Sequence, residues 1–119
     1  MGNVRVLVTG ATGKMGQHTI NAVNRESHLE LVGGTCSTER GTDIQLADGT
    51  SVPLSTNLET LLDATKPDVV IDFTNAHAVM SNADMIISNG VHCVIGASGI
   101  NPSELAALEQ MQMKHSVGV

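Results

Sequence analysis

Residues 4–16 read VRVLVTGATGKMG, and this stretch decides the fold. Positions 4–8 are apolar apart from Arg5, and the run stops at Thr9-Gly10. A continuous apolar run of this length fits a strand covered on both faces, not one with a wet side. Three glycines follow in G-x-x-G-x-x-G spacing, Gly10, Gly13 and Gly16, and a helical pattern then occupies about residues 15–25. Met15, Ile20, Ala22 and Val23 are available for that helix's inner face. A glycine turn joining a strand to a helix is the context of the dinucleotide fingerprint, although the spacing is a variant and not G-x-G-x-x-G. Gly10 lets the chain turn sharply off the strand, Gly13 lets backbone N–H groups approach a pyrophosphate, and Gly16 lets the helix lie close to the sheet. The helix N-terminus supplies unpaired donors and a partial positive charge, to which Lys14 adds a full one. A phosphate-hydrolysing P-loop needs four residues between its glycines and then Lys-Ser or Lys-Thr, which are absent. The plain alternative is a tight strand-to-helix turn with no ligand.

Outward from this stretch, short β-branched runs alternate with amphipathic ones, the mark of α/β winding. A second strand over residues 29–32 is expected to stop at Gly33-Gly34, and residues 35–50 read as a long loop with at most one helical turn. Residues 52–54 suit a short third strand, which Pro53 would restrict to an edge position. Asn57 caps a helix over residues 58–64, ended by Lys66-Pro67. The fourth strand, DVVIDF over residues 68–73, runs into Thr74-Asn75. A helix over residues 78–88 closes at Asn89-Gly90, and a fifth strand over residues 91–95 ends in Gly96-Ala97-Ser98-Gly99. Asn101-Pro102-Ser103-Glu104 opens a helix reaching about Lys114, and SVGV, residues 116–119, resembles the opening of a sixth strand. With strand order 3-2-1-4-5-6 the loops after strands 1, 4 and 5 form one row at the carboxyl edge, where open α/β sheets bind ligands.

Composition bounds the rest. The 119 residues carry six basic and twelve acidic side chains, a net charge of −6, and 41% hydrophobic residues. One domain over residues 1–119 is expected, and disorder is excluded. Without a run of Lys or Arg, nucleic acid is a poor partner. No apolar run approaches the ~20 residues that a bilayer crossing requires. The N-terminus lacks the layout of a secretory signal, and Val6 stands where an acylation motif has Ser or Thr. Cys36 and Cys93, far apart and in no metal or redox spacing, read as buried thiols in a reducing cytoplasm.

Cofactor preference is read about 20 residues beyond the fingerprint, where an acid binds the ribose 2′-hydroxyl. That place falls at Cys36-Ser37, neither acidic, whereas nearby Arg40 suits a 2′-phosphate and Glu39 blurs it. The reading leans to a phosphorylated or dual-use cofactor. Asp72 either orients a ligand or fixes a turn. His77 lies in the candidate pocket loop as a surface turn residue, and His18, His28, His92 and His115 are dispersed without metal-ligand spacing. No Ser-His-Asp or Cys-His arrangement is readable.

In order and spacing, VLVTGATGKMG, ELVGG, PDVVIDFT and VIGASGINPSELAALEQM resemble the N-terminal domain of the dihydrodipicolinate reductase family. The resemblance covers nearly the whole chain and is weakest between Cys36 and Pro53. It implies a cytoplasmic enzyme of lysine and diaminopimelate biosynthesis that uses NADH or NADPH to reduce a cyclic dicarboxylate. It further implies that Gly10, Ala11, Thr12, Gly13, Lys14 and Met15 hold the pyrophosphate and that Cys36 or Ser37 meets the adenosine ribose. Phe73 and Thr74 match residues beside the nicotinamide ribose, and Gly96, Ala97 and Ser98 match the turn that bonds the carboxamide. The family usually has Thr where Ala97 stands and Pro where Ala76 stands, differences that bear on cofactor affinity and not on fold.

The family continues into a substrate-binding, tetramer-forming domain with a His-His-rich motif and a catalytic Lys. The chain is therefore expected to be a Rossmann-like, doubly wound parallel sheet truncated near its sixth strand, with the substrate domain and all catalytic residues absent. Such a fragment binds cofactor without turnover, its parent being a homotetramer, and its open sheet edge invites pairing with another chain. The alternatives are a free-standing NAD(P)-sensing module or the cofactor domain of another two-domain dehydrogenase.

Overall fold

Strand β1 (Val4–Thr9) runs through the middle of a six-stranded sheet in the computed structural model, which describes residues 4–36, 43–46, 49–73, 76–96, 102, 103, 106, 107, 109 and 110. After β1 come α1 (Lys14–Arg25), β2 (Leu29–Thr35), β3 (Asp43–Gln45), β4 (Ser51–Ser55), α2 (Leu58–Thr65), β5 (Val69–Asp72), α3 (Ala76–Ser88) and β6 (His92–Ile95). The order is β3-β4-β2-β1-β5-β6. Every neighbouring pair is parallel except β3 with β4. With β3 set aside, this is the expected order of the first five strands, and the fold is Rossmann-like.

The unbroken apolar run of β1 has the predicted cause. Val6 and Val8 pack with Ile20 and Val23 of α1, whereas Leu7 packs on the opposite face in the cluster holding Leu58, Leu61 and Leu62 of α2 and Ile86 and Ile87 of α3. Two layers cover the strand, so no polar alternation appears. On α1, only part of the expected inner face is buried. Gly16, Ile20 and Val23 are interior, but Ala22 is exposed and Met15 is 58% exposed, because Met15 lies in the first turn, at the sheet's open edge.

Three further expectations are corrected. β2 continues through Gly33 and Gly34 to Thr35. These glycines do not stop the strand; they admit close neighbours, since a Cβ on Gly34 would lie 2.7 Å from the Ala11 side chain and 2.8 Å from Ile44 Cδ1. The segment read as a long loop contains β3, paired Asp43↔Pro53, Ile44↔Val52 and Gln45↔Ser51. Its turn closes through Leu46 N–H to Thr50 O at 2.8 Å and Gly49 N–H to Leu46 O at 3.0 Å, with Gly49 at φ 89°. Consequently β4 is not an edge strand. Pro53 is tolerated because pairing with β2 begins only at Leu54, where a donor is first needed.

The other elements form where the sequence places them. Asn57 Oδ1 accepts from Thr60 N–H at 3.0 Å at the start of α2, and Lys66 ends that helix at φ 48°. Gly90 supplies φ 74° after α3, which begins two residues earlier than expected and so includes His77 in helix instead of loop. Residues 102, 103, 106, 107, 109 and 110 are helical. The expected helix start at Asn101 and the expected sixth strand lie outside the described residues.

Candidate functional site

The carboxyl edge of the sheet is assembled around the β1–α1 turn. Gly10 has φ 68°, a region that L side chains rarely adopt, and a Cβ there would lie 3.0 Å from both the carbonyl carbon and the oxygen of Phe73. Ala11 N–H donates to Thr35 O at the end of β2 (2.8 Å), and Gly13 N–H donates to Gly10 O (3.1 Å). A Cβ on Gly16 would fall onto the Gly10 carbonyl oxygen and lie 2.9 Å from Ala11 Cα, so the helix can rest this close to the turn only with glycine there. Phe73 also reaches the next strand end, its Cδ1 2.6 Å from where a Gly96 Cβ would stand. Backbone bonds Phe73 N–H to Thr9 O (3.2 Å) and Gly96 N–H to Asp72 O (2.8 Å) hold the row together. Cys36, the β1–α1 turn, Phe73 and Gly96 thus follow one another along one edge.

Gly13 differs from its two partners. It is the N-cap of α1 at φ −75° and ψ 170°, makes no side-chain cap, and its Cβ position meets only Gly10 O at 3.4 Å. The packing of the turn does not demand glycine here, and the space before the helix is open. The first turn carries no acid, and the amides of Lys14, Met15 and Gly16 have no acceptor within the helix. Open space, unpaired donors and the exposed Lys14 make a cradle for an anion, and a diphosphate fits it.

Among the other expected site residues, Cys36 gives the edge its backbone, donating N–H to Ser55 O at 3.1 Å, while its side chain is buried in the α1-side core. Ser37, Arg40, Thr74, Ala97 and Ser98 lie outside the described residues. Asp72 is fully buried on β5, in register with Thr9 and Ile95, and its carboxylate is felt by Cys93 on β6. Burial, and secondarily Asp72, pushes the Cys93 thiol up to about 12 from 9.0. Neither buried cysteine forms a disulfide. Among the described residues no group of three or more His, Cys, Asp or Glu is placed to hold a metal, and no helix is long and apolar enough to cross a membrane.

A cleft of about 260 Å³ opens beside the turn, between α1 and the β3–β4 hairpin. Ala11 and Thr12 border it, Ile20, Ile44 and Leu54 supply apolar lining, and Gln17, Asn21, Asp43 and Gln45 supply polar lining. Gln17 is oriented by its own bond, Nε2 to Thr12 O at 3.0 Å. Sequence reasoning missed these four polar residues. Gln17 and Asn21 sit on a helix face with no motif, and Asp43 and Gln45 belong to the segment read as loop.

The family model described as dihydrodipicolinate reductase, N-terminus, matches residues 4–119. A 4-hydroxy-tetrahydrodipicolinate reductase from Syntrophomonas wolfei is 38% identical over 118 residues, covering 97% of this chain and 44% of the relative. One from Dehalococcoides mccartyi is 36% identical over 117 residues, covering 98% and 44%. The solved structure of a dipicolinate-bound dihydrodipicolinate reductase from Paenisporosarcina sp. TG-14 superposes with a TM-score of 0.80 at 29% identity, over 95% of this chain and 44% of that one. The chain thus spans 44% of the length of these curated relatives.

Proposed function

Because the chain belongs to the dihydrodipicolinate reductase family, matching its N-terminal domain, we propose that residues 1–119 are the nucleotide-binding domain of an NAD(P)H-dependent reductase. The whole enzyme reduces a cyclic dicarboxylate of the dihydrodipicolinate type in lysine and diaminopimelate biosynthesis, in the cytoplasm and as a homotetramer. This portion binds NADH or NADPH and holds no catalytic residue. Neither nucleic acid nor membrane is a partner.

The observation that carries the reading is the uncapped start of α1, where Gly13 leaves open a space that the fold does not itself require. In this assignment the amides of the turn Gly10, Ala11, Thr12, Gly13, Lys14 and Met15 bind the diphosphate, with the Lys14 ammonium adding charge. Cys36 and Ser37, with Arg40 near them, border the adenosine ribose. Phe73 and Thr74 flank the nicotinamide ribose, and Gly96, Ala97 and Ser98 orient the carboxamide. When bound, the nicotinamide supplies the hydride, and the domain's part is to fix the ring's position. Calorimetric titration with NADH and NADPH, followed by backbone amide NMR, tests this. Binding with shifted signals at residues 11–15 is expected, and saturating nucleotide that leaves those signals unmoved rejects the assignment.

A further inference from the structure

We propose that the buried carboxylate of Asp72 biases the nicotinamide end of the site toward the cationic, oxidised ring, acting through its field and without touching the cofactor. This rests on the dinucleotide reading above and adds to it a residue that weights the two redox forms differently.

Asp72 is the last residue of β5 and is fully buried. Strand alternation puts its side chain on the face where Val70 packs with Cys93 of β6 and with Ile86 and Ile87 of α3. Along the strand it stands one residue, about 3.3 Å, behind Phe73. It is level with Ile95, the residue before Gly96, and its carbonyl oxygen accepts from Gly96 N–H at 2.8 Å. Phe73 and Gly96 are the described residues assigned to the nicotinamide end. The carboxylate therefore lies just behind that end, inside the protein, where salt and water screen it little.

The reach of this charge shows within the sheet. Cys93 pairs with Val70, so it stands one strand over and two residues back from Asp72, about 8 Å away between backbones, and the carboxylate still opposes ionisation of its thiol. The strand ends ahead are no farther. A second feature works with the same sign. Helix α3 begins at Ala76 with no acid in its first turn, and its N-terminus brings a partial charge of about +0.5 to the same edge. Alone, that charge would oppose a cationic ring; Asp72, on the α3 face, offsets it. Hydride donation breaks the C4–H bond, sends the proton and both electrons to the acceptor, here the cyclic dicarboxylate of the proposed reaction, and leaves the nicotinamide with one positive charge. A fixed negative charge behind the ring favours that state over the neutral one and needs no rearrangement to do so.

Dissociation constants for NAD+ and NADH, measured by calorimetry at about pH 8, where histidine is neutral, test the assignment on the chain and on four variants. Asp72→Asn and the smaller Asp72→Ser remove the charge. Thr9→Val alters the same buried corner without a charge change, since Thr9 is fully buried and in register with Asp72. Asp63→Asn removes an exposed acid from α2. Both Asp72 variants are expected to weaken NAD+ about three- to tenfold more than NADH, and this shift in the ratio is expected to persist as salt rises. Thr9→Val and Asp63→Asn are expected to keep the ratio within about twofold of the unaltered chain's. An unchanged ratio in the Asp72 variants, or an equal shift in Asp63→Asn, overturns the inference and leaves the dinucleotide reading standing. So does loss of the folded circular-dichroism spectrum in both Asp72 variants, which assigns the carboxylate to packing alone. If the unaltered chain binds neither nucleotide, both readings fall.

Discussion

Three glycines in one turn carry three separable physical demands, and the separation makes a sharp test. Gly16 is needed by the fold, because a methyl there collides with the Gly10 carbonyl and with Ala11 Cα, both backbone atoms. Gly16→Ala is expected to cost about 1–3 kcal/mol or more, and nucleotide binding is lost with the structure. Gly13 is not needed by the fold, since its φ of −75° suits any residue and its nearest contact is an ordinary 3.4 Å. Gly13→Ala is therefore expected to melt within a few degrees of the parent while losing roughly tenfold or more in affinity for NADH, the space for the diphosphate having been filled. Thermal denaturation and calorimetry on the two variants separate a ligand cradle from a merely tight turn. Unchanged affinity in a stably folded Gly13→Ala sinks the cradle. These roles were legible in the sequence because each follows from a missing Cβ at a fixed spacing. The place of Asp43 was not, since a residue in an apparently irregular segment has no position until the segment pairs.

At the scale of elements, the strands and helices of the doubly wound core announce themselves through apolar runs and caps, but the β3–β4 hairpin does not. Only three residues, Asp43–Gln45, form β3, and two of them are polar. The legible signals were the alternation Ile44, Leu46, Val52, Leu54 and the Asp48-Gly49 pair between them, a turn dipeptide that outweighs the weak strand propensity. A tie at the opposite edge of the sheet was equally hidden, because it joins residues 60 apart. Arg5 donates from Nε and Nη2 to the Thr65 carbonyl at 3.1 and 2.6 Å, at the C-terminus of α2, and its backbone N–H donates to Asp68 Oδ2 at 2.8 Å. The guanidinium satisfies a terminal carbonyl and sits at the negative end of the helix dipole, whereas its pair with Glu30 at 3.3 Å is half in solvent, 40% and 52% exposed. The two contacts should differ in weight. Arg5→Ala is expected to cost about 1–2 kcal/mol in urea denaturation, and Glu30→Ala less than about 0.5 kcal/mol. Equal losses would place the stabilisation in the ion pair and contradict the capping argument.

Across the whole molecule the sheet divides the interior into two cores, and the polar groups buried with them set how stability responds to pH. The α2–α3 side holds Leu7, Val70, Ile86, Ile87 and Cys93, and the fully buried Asp72 lies in that same layer of the sheet. Within it Cys93 loses its proton only near pH 12, against 9.0 when unburied, first because burial penalises the thiolate and then because the Asp72 carboxylate opposes a second negative charge. A folded-state value raised above the unfolded one means that the native chain holds this proton more tightly. The resulting stabilisation is complete below pH 9.0 and declines as pH climbs from there toward about 12. Cys93→Ala removes that term at a cost of roughly 1 kcal/mol at neutral pH, and its unfolding free energy is expected to fall less steeply than the parent's between about pH 8 and about pH 11. Iodoacetamide followed by mass spectrometry gives an independent reading, with Cys93 unlabelled at about pH 8 until urea unfolds the chain. Parallel stability curves for parent and variant, together with labelling of Cys93 in the native state, would mean that the thiol is not held in this core. The pairing of β5 with β6, which brings Val70 against Cys93 and Asp72 against Ile95, would then be wrong as well.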